Sequence, residues 1–328
     1  MDDRKAGALL GLAVGDALGT TYEFDRIDQP PYPALASGPA TDVVGGGPFG
    51  LAAGQVTDDT QMAVCLARSL AECGRLDVED VAKRYVAWSE HAFDIGNQTG
   101  AALARIERGV SPYAAGIAVW RDSGRRAAGN GSLMRTVPIG VACADPIDAA
   151  IADSMITHAD PRCVLACAVF DAAIAHAIAG GKALEAARDA LPVAVRRLGD
   201  RDDDYRAALA TAEIDLERDL AAAVAPEPGV YRVELDVHRT AGFVRVALRL
   251  ALWHVHHTAS RRDAVVDVAS RGGDADTNAA IVGAMLGARD GAGAIPQAWR
   301  ERVLAATQPG PAAWADAHHP RHLLALVR

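Results

Sequence analysis

Aromatic residues are scarce in this chain, 5% of 328. Its core must therefore be filled mainly with Ala, Val, Leu and Ile instead of rings. Basic residues are outnumbered, 33 Lys and Arg against 42 Asp and Glu, for a net charge of −9. No basic patch offsets that balance. Arg125–Arg126, Arg196–Arg197 and Arg261–Arg262 are short pairs, read as solvated helix ends. An acidic chain without such a patch repels a phosphate backbone, which argues against nucleic acid as a partner. Cysteine is limited to Cys65, Cys73, Cys143, Cys163 and Cys167, an odd number with no Cys-x-x-Cys pair. Reduced, mostly buried thiols in a cytoplasmic protein are expected. No apolar run reaches the ~20 residues of a membrane span. The short run Ala6–Gly15 follows Asp2 and Asp3, where a signal peptide needs positive charge. No membrane partner is expected. Repeats, low-complexity tracts and a clear linker are also missing, so one domain over residues 1–328 is expected.

What is present reads as helix. Half of the residues are hydrophobic and 23% are charged, the balance of a soluble globular protein. Alanine, the best helix former, is abundant throughout. Val78, Val81, Tyr85 and Trp88 recur at helical spacing with charged residues between them. Segments near 147–155, 161–179, 183–198, 205–220, 240–257 and 296–306 have the same character. Gly7, Gly11, Gly15 and Gly19 fall every fourth position, which predicts a central helix whose glycine face admits another backbone. One stretch alternates like a strand, Tyr231, Val233, Leu235 and Val237, and is read as an extended connection or small hairpin. Residues 25–54 carry Pro30, Pro31, Pro33, Pro39 and Pro48 and three consecutive glycines, the pattern of a long loop. The expected class is all-α.

Two acidic turns carry most of the chemistry. Thr57–Asp58–Asp59–Thr60 precedes the helical run Met62–Ala71, and Gly272–Gly273–Asp274–Ala275–Asp276–Thr277 precedes Ala279–Ala288. Each fits an ordinary N-cap, in which Asp or Thr accepts hydrogen bonds from free helix N–H groups. Each also fits a hard divalent cation, which takes several oxygen ligands. Together they offer four carboxylates and two hydroxyls, enough for a pair of Mg²⁺ or Mn²⁺ ions. No Cys or His accompanies them, which argues against a softer metal.

Other candidates are weaker. Glu23 lies between Tyr22 and Phe24, where apolar surroundings would raise its pKa; an exposed Glu at a helix end is the plainer reading. Gly129–Asn130–Gly131–Ser132 is either a phosphate nest or a plain turn. Asp94–Ile95–Gly96–Asn97 has the same ambiguity. His254, His256, His257, His318, His319 and His322 are read as surface helix ends. His158, just ahead of a helix start, lines a pocket or is structural.

Taken in order, GALLGLAVGDALGTTYEF, GQVTDDTQMA, DIGNQT, GNGSLMRTVPIG, ITHADPRC and RGGDADTNAAIVGAMLGA resemble the ADP-ribosylglycohydrolase family. The similarity extends to its bacterial members that reactivate ADP-ribosylated dinitrogenase reductase. It spans residue 7 to about residue 288. The resemblance implies a compact, orthogonal helical bundle with a binuclear Mg²⁺ or Mn²⁺ centre. By position it implies Thr57, Asp58, Asp59, Asp274, Asp276 and Thr277 as metal ligands, with Glu23 and Asp94 in catalysis. It puts Gly96, Asn97, Gly129, Asn130, Gly131, Ser132 and His158 near ADP-ribose. The implied reaction is release of ADP-ribose from a modified protein, arginine being the expected linkage. ADP-ribosyl-serine, O-acetyl-ADP-ribose, binding of ADP-ribose without turnover and cleavage of the diphosphate are the alternatives. Residues 190–237 match no family motif and are expected at a rim that selects the target.

Overall fold

The computed structural model describes residues 2–26, 40–199 and 203–327. Most of them lie in fifteen α-helices, and no β-strand is present among the described residues. In chain order the first eight are α1 (Asp3–Gly19), α2 (Asp58–Cys73), α3 (Val78–Ser89), α4 (Asn97–Glu107), α5 (Pro112–Asp122), α6 (Val137–Ala142), α7 (Pro146–Thr157) and α8 (Pro161–Ile178). The rest are α9 (Ala183–Leu198), α10 (Asp203–Ala222), α11 (Val244–His257), α12 (Arg261–Ala269), α13 (Ala275–Asp290), α14 (Gln297–Ala305) and α15 (Ala312–Ala317). The all-α expectation is met.

The glycine stripe of α1 sets the centre. A Cβ on Gly7 would stand 2.3 Å from the Gly287 carbonyl oxygen, and one on Gly11 2.2 Å from that of Gly283. On Gly15 it would meet Ala279 O at 2.1 Å, and on Gly19 Ala275 O at 2.3 Å. Rising numbers on α1 thus meet falling numbers on α13: the two helices are antiparallel and in backbone contact. Both are buried all round, α1 from Ala6 to Gly19 and α13 from Ala275 to Ala288. This pairing brings the end of α1, with Asp16 and Glu23, to the start of α13, with Asp274 and Asp276.

The remaining helices wrap this pair. One contiguous apolar cluster runs from Ala6 to Leu323. Helix α8 is long and apolar enough to cross a membrane by length and composition, yet most of it is buried among α6, α7, α9 and α10. The few large rings are placed with their polar atoms matched. Trp88 Nε1 donates to Gln61 Oε1 at 2.9 Å, and Trp120 Nε1 to Asp160 Oδ2 at 3.1 Å.

Several surface readings are corrected. Arg261 is buried, and its guanidinium donates to the Gly283 carbonyl at 2.8 Å in the gap the glycines leave. His254 is also buried, because its ring lies 3.2 Å from the buried Asp267 carboxylate and bonds Thr258. His318 and His319 are buried against the Trp314 and Ala306 carbonyls. His256 and His257 are exposed as expected. The strand-like stretch closes on itself: Arg232 N–H bonds Leu235 O and Val237 N–H bonds Val230 O, a small hairpin without a sheet. Of the 25–54 loop, residues 27–39 lie outside the described residues. The rest is irregular, with Ala40 and Val43 buried and Arg302 donating to the Val43 carbonyl.

Candidate metal centre and active-site cleft

Thr57 and Asp274 occupy the N-cap positions of α2 and α13, yet neither side chain accepts a hydrogen bond from a backbone N–H of its helix. Asp2, Asp77, Asp145, Asp160 and Ser260 do accept from the first turn of their helices, whereas Ser111 and Thr136 do not. Capping by the N-cap side chain therefore accounts for neither acidic turn, although Asp276 Oδ1 accepts from the Thr277 N–H at 2.8 Å. The Thr57 hydroxyl lies 3.0 Å from Asp16 Oδ1, 3.2 Å from Asp59 Oδ2 and 3.4 Å from Asp276 Oδ2. It has one proton for three acceptors. Thr277 Oγ1 lies 3.3 Å from the same Asp59 oxygen. Asp274 accepts from Asn130 Nδ2 at 2.7 Å.

Glu23 and Asp94 join this group. One oxygen each from Glu23, Asp94 and Asp276 lie within 4.8 Å of one another. The plain reading of Glu23 as exposed fails: it is 7% exposed, because α1 ends where α13 begins. Buried carboxylates this close resist ionising together. Burial, then the Asp94 and Asp274 charges, pushes Glu23 up to about 8. Burial raises Asp94 to about 6. Burial, and secondarily their acidic neighbours, holds Asp58, Asp59 and Asp276 well above the usual carboxylate range. Asp59 Oδ1 and Glu23 Oε2 are buried with no hydrogen-bond partner. An all-oxygen donor set with orphaned carboxylate oxygens fits hard divalent cations, whose charge would offset the crowding.

Sequence reasoning overlooked Asp16. It is fully buried under the acidic turn and accepts from the backbone N–H and hydroxyl of both Thr57 and Thr60. Its job is to hold the start of α2 in place. A lone Asp on an otherwise apolar glycine-faced helix was the available signal.

These groups floor a cleft of about 440 Å³. Glu23, Asp58, Asp94, Asp274, Asp276 and Thr277 line it, while Thr57 and Asp59 lie beneath. The other walls are the start of α4 (Gly96, Asn97, Gln98, Thr99), the turn Gly129–Asn130–Gly131 with Met134 and His158, the segment Ala241–Gly242, and Phe24. No Lys or Arg lines the cleft among the described residues. His158 has Nδ1 2.7 Å from Thr157 Oγ1, and burial and Arg135 lower its pKa well below the usual value, so the ring is neutral. It packs so closely on Gly131 that a Cβ there would lie 2.8 Å from His158 Cε1.

Two expectations for the glycine turn are corrected. Ser132 faces the core, where its hydroxyl accepts from Ser154 Oγ at 2.9 Å, because the turn dips inward to start α6. The N–H groups of Gly129 and Asn130 are already committed to Gln98 Oε1 and the Gly242 carbonyl, so they do not form an open nest. No described residue of 190–237 lines the cleft. That region instead abuts the second acidic turn: a Cβ on Gly273 would stand 1.9 Å from Val237 O.

The whole chain from residue 1 to residue 323 matches the ADP-ribosylglycohydrolase family. The chain belongs to that family. It is 34% identical over 314 residues to an ADP-ribosylarginine hydrolase Tri1 of Pseudomonas putida (strain GB-1), covering 92% of this chain and 74% of that protein. It is 30% identical over 309 residues to the ADP-ribosyl-[dinitrogen reductase] glycohydrolase of Rhodospirillum rubrum, covering 92% of this chain and 90% of that one. Among solved structures it is similar to an ADP-ribosylglycohydrolase-related protein complex, with 30% identity, a TM-score of 0.65 and 97% of each chain covered. As an ADP-ribosylglycohydrolase it is a hydrolase, and the cleft, with its acidic floor, is the candidate place for that chemistry.

Proposed function

We propose that this ADP-ribosylglycohydrolase is a single-domain, cytoplasmic enzyme that cleaves ADP-ribose from arginine side chains of a protein. One observation carries the assignment of the site: the carboxylates of both acidic turns meet on one buried cleft floor, and neither N-cap side chain, Thr57 or Asp274, bonds a backbone N–H of its helix. The arginine linkage rests on similarity to proteins named for that activity.

Thr57, Asp58, Asp59, Asp274, Asp276 and Thr277 would hold two divalent cations, Mg²⁺ or Mn²⁺. When bound, the pair supplies positive charge and Lewis acidity beside the distal ribose. Glu23, buried in the cleft beside Asp94 and Asp276, delivers or accepts the proton as the C1 bond opens through an oxocarbenium-like state. Asp94 stands beside it as the second acid–base group. The diphosphate meets no basic side chain, so neutral donors must hold it. Those are the N–H groups at the start of α4, around Gly96 and Asn97, and the Gly131 N–H with the neutral His158 ring. A neutral donor set suits a cleft that already concentrates charge.

A second reading of Glu23 and Asp94 has its own support. Their oxygens share one small cluster with Asp276, which is the arrangement of ligands to one cation. Glu23→Gln separates the two. An acid–base role leaves Mn²⁺ affinity intact and removes turnover; a ligand role lowers both.

The test of the function is mass spectrometry of products from mono-ADP-ribosylated arginine and serine peptides, with Mg²⁺, with Mn²⁺ and with EDTA. Metal-dependent release of intact ADP-ribose from the arginine peptide is expected. Release from serine alone would overturn the linkage, and AMP as the product would overturn the reaction.

A further inference from the structure

Phe24 is out of place by every structural criterion. It lies next to Glu23 and is 65% exposed, although large apolar rings are otherwise few and mostly buried in this chain. Its backbone has φ +62°; only Phe24 and Arg125 among the described non-glycine residues are left-handed. Glycine or asparagine takes that conformation at less cost. The conformation is enforced from both sides. Phe24 N–H donates to the Gly273 carbonyl at 2.6 Å, and Gly273 N–H donates to the Asp25 carbonyl at 3.0 Å. Segment 24–26 is thereby clamped to the acidic turn that starts α13, and the ring lines the cleft. Apart from the His158 imidazole, it is the one aromatic ring there among the described residues.

The position defines what the ring meets. Phe24 follows Glu23 in the chain and lines the same cleft as Glu23 and Asp94, the groups that act where the bond breaks in the proposed reaction, which puts the ring within reach of the leaving group. An aromatic face in a cleft that Glu23, Asp58, Asp94, Asp274 and Asp276 line, with no Lys or Arg in the lining among the described residues, is a cation receptor. Guanidinium is the side-chain cation best suited to it, being planar, weakly hydrated and prone to stack on rings. A serine hydroxyl or an acetate gains nothing there.

We propose that Phe24 is a specificity-determining residue: its ring is the face on which the guanidinium of an ADP-ribosylated arginine stacks. This rests on the arginine reading above. Three variants separate the π-face from bulk: F24A and F24L remove it, and F24W restores it. Each is assayed with saturating Mn²⁺ for kcat/KM on an ADP-ribosyl-arginine peptide, and by calorimetry for affinity toward free ADP-ribose, which lacks the guanidinium. F24A and F24L are expected to lose about 2- to 30-fold in kcat/KM, the range of a cation–π contact, with F24W recovering most of it. ADP-ribose affinity is expected to stay level across the series. F24L matching the wild type would overturn the inference, since bulk alone would then suffice. An equal fall in ADP-ribose affinity would also overturn it, because the ring would then serve the nucleotide. A wild-type enzyme that leaves the arginine peptide intact would instead refute the linkage itself, and the inference with it.

Discussion

Gly15→Ala is the sharpest test of how the fold builds its site. At an ordinary helix interior this change stabilises, since alanine gains about 0.5–1 kcal/mol over glycine. At position 15 the new Cβ would lie 2.1 Å from the Ala279 carbonyl oxygen and 2.5 Å from its carbon. Those are backbone atoms of a helix buried on all sides, so no side chain can swing away. Overpacking of a rigid core costs about 1–3 kcal/mol, often enough to outweigh the propensity gain. A net loss of about 1–2 kcal/mol is expected by urea unfolding. Gly100→Ala in α4 is the control. Its Cβ would meet only Ile95 side-chain carbons, at 3.6 Å and 3.8 Å, so a gain of about 0.5–1 kcal/mol is expected there. The site should suffer along with the fold, because α1 carries Asp16 and leads to Glu23, while α13 opens with Asp276. Activity of Gly15→Ala at a temperature where it is fully folded should fall below wild type. A Gly15→Ala protein as stable and as active as wild type would refute the close antiparallel packing.

Asp59→Asn removes one carboxylate from the crowded floor. The metal-free protein should melt higher than wild type near neutral pH, while Mn²⁺ no longer raises its melting temperature and ADP-ribose release is lost; an unchanged Mn²⁺ response would take Asp59 out of the ligand set. Glu23 is raised to about 8 and Asp94 and Asp16 to about 6, from ordinary values of 4.5 and 3.8. These groups bind protons more tightly in the folded chain, so their contribution is full below the ordinary values and is lost as pH rises through 6 and 8. The metal-free protein should therefore lose stability between about pH 4 and about pH 8, and the stabilisation by Mn²⁺ should grow across that window. Scanning fluorimetry with and without EDTA reads both, and a flat metal effect contradicts the assignment. Arg135→Met strips the fully buried Asp153 of its guanidinium, 3.0 Å away, and should cost about 3–5 kcal/mol by denaturant unfolding.

How much of this was legible in the chain depends on the range of the interaction. Helical spacing from Val78 to Trp88 or over residues 240–257 is a local signal, and helices form there, at Val78–Ser89 and Val244–His257. The four-residue glycine stripe announces a close partner, but nothing in it names α13. The two acidic turns announce oxygen-rich chemistry, but a cap and a ligand read alike until the hydrogen bonds are known. His254 and Arg261 were misread because their partners, Asp267 and the Gly283 carbonyl, belong to other elements. Ser132 was misread because the direction of a turn depends on what the next helix packs against.

Helix content, the central glycine face and the stock of oxygen ligands were thus determined by the sequence alone, since each rests on residues a few positions apart. Only the tertiary structure decided which carboxylates meet. Thr57 finds Asp16 across 41 residues and Asp276 across 219, because the start of α2 packs where the antiparallel pairing of α1 and α13 brings those two carboxylates together. The same packing buries Glu23 and clamps Phe24 to the turn that starts α13. Long-range contact of this kind leaves no periodicity to read, because the partner is set by shape and burial and not by spacing along the chain.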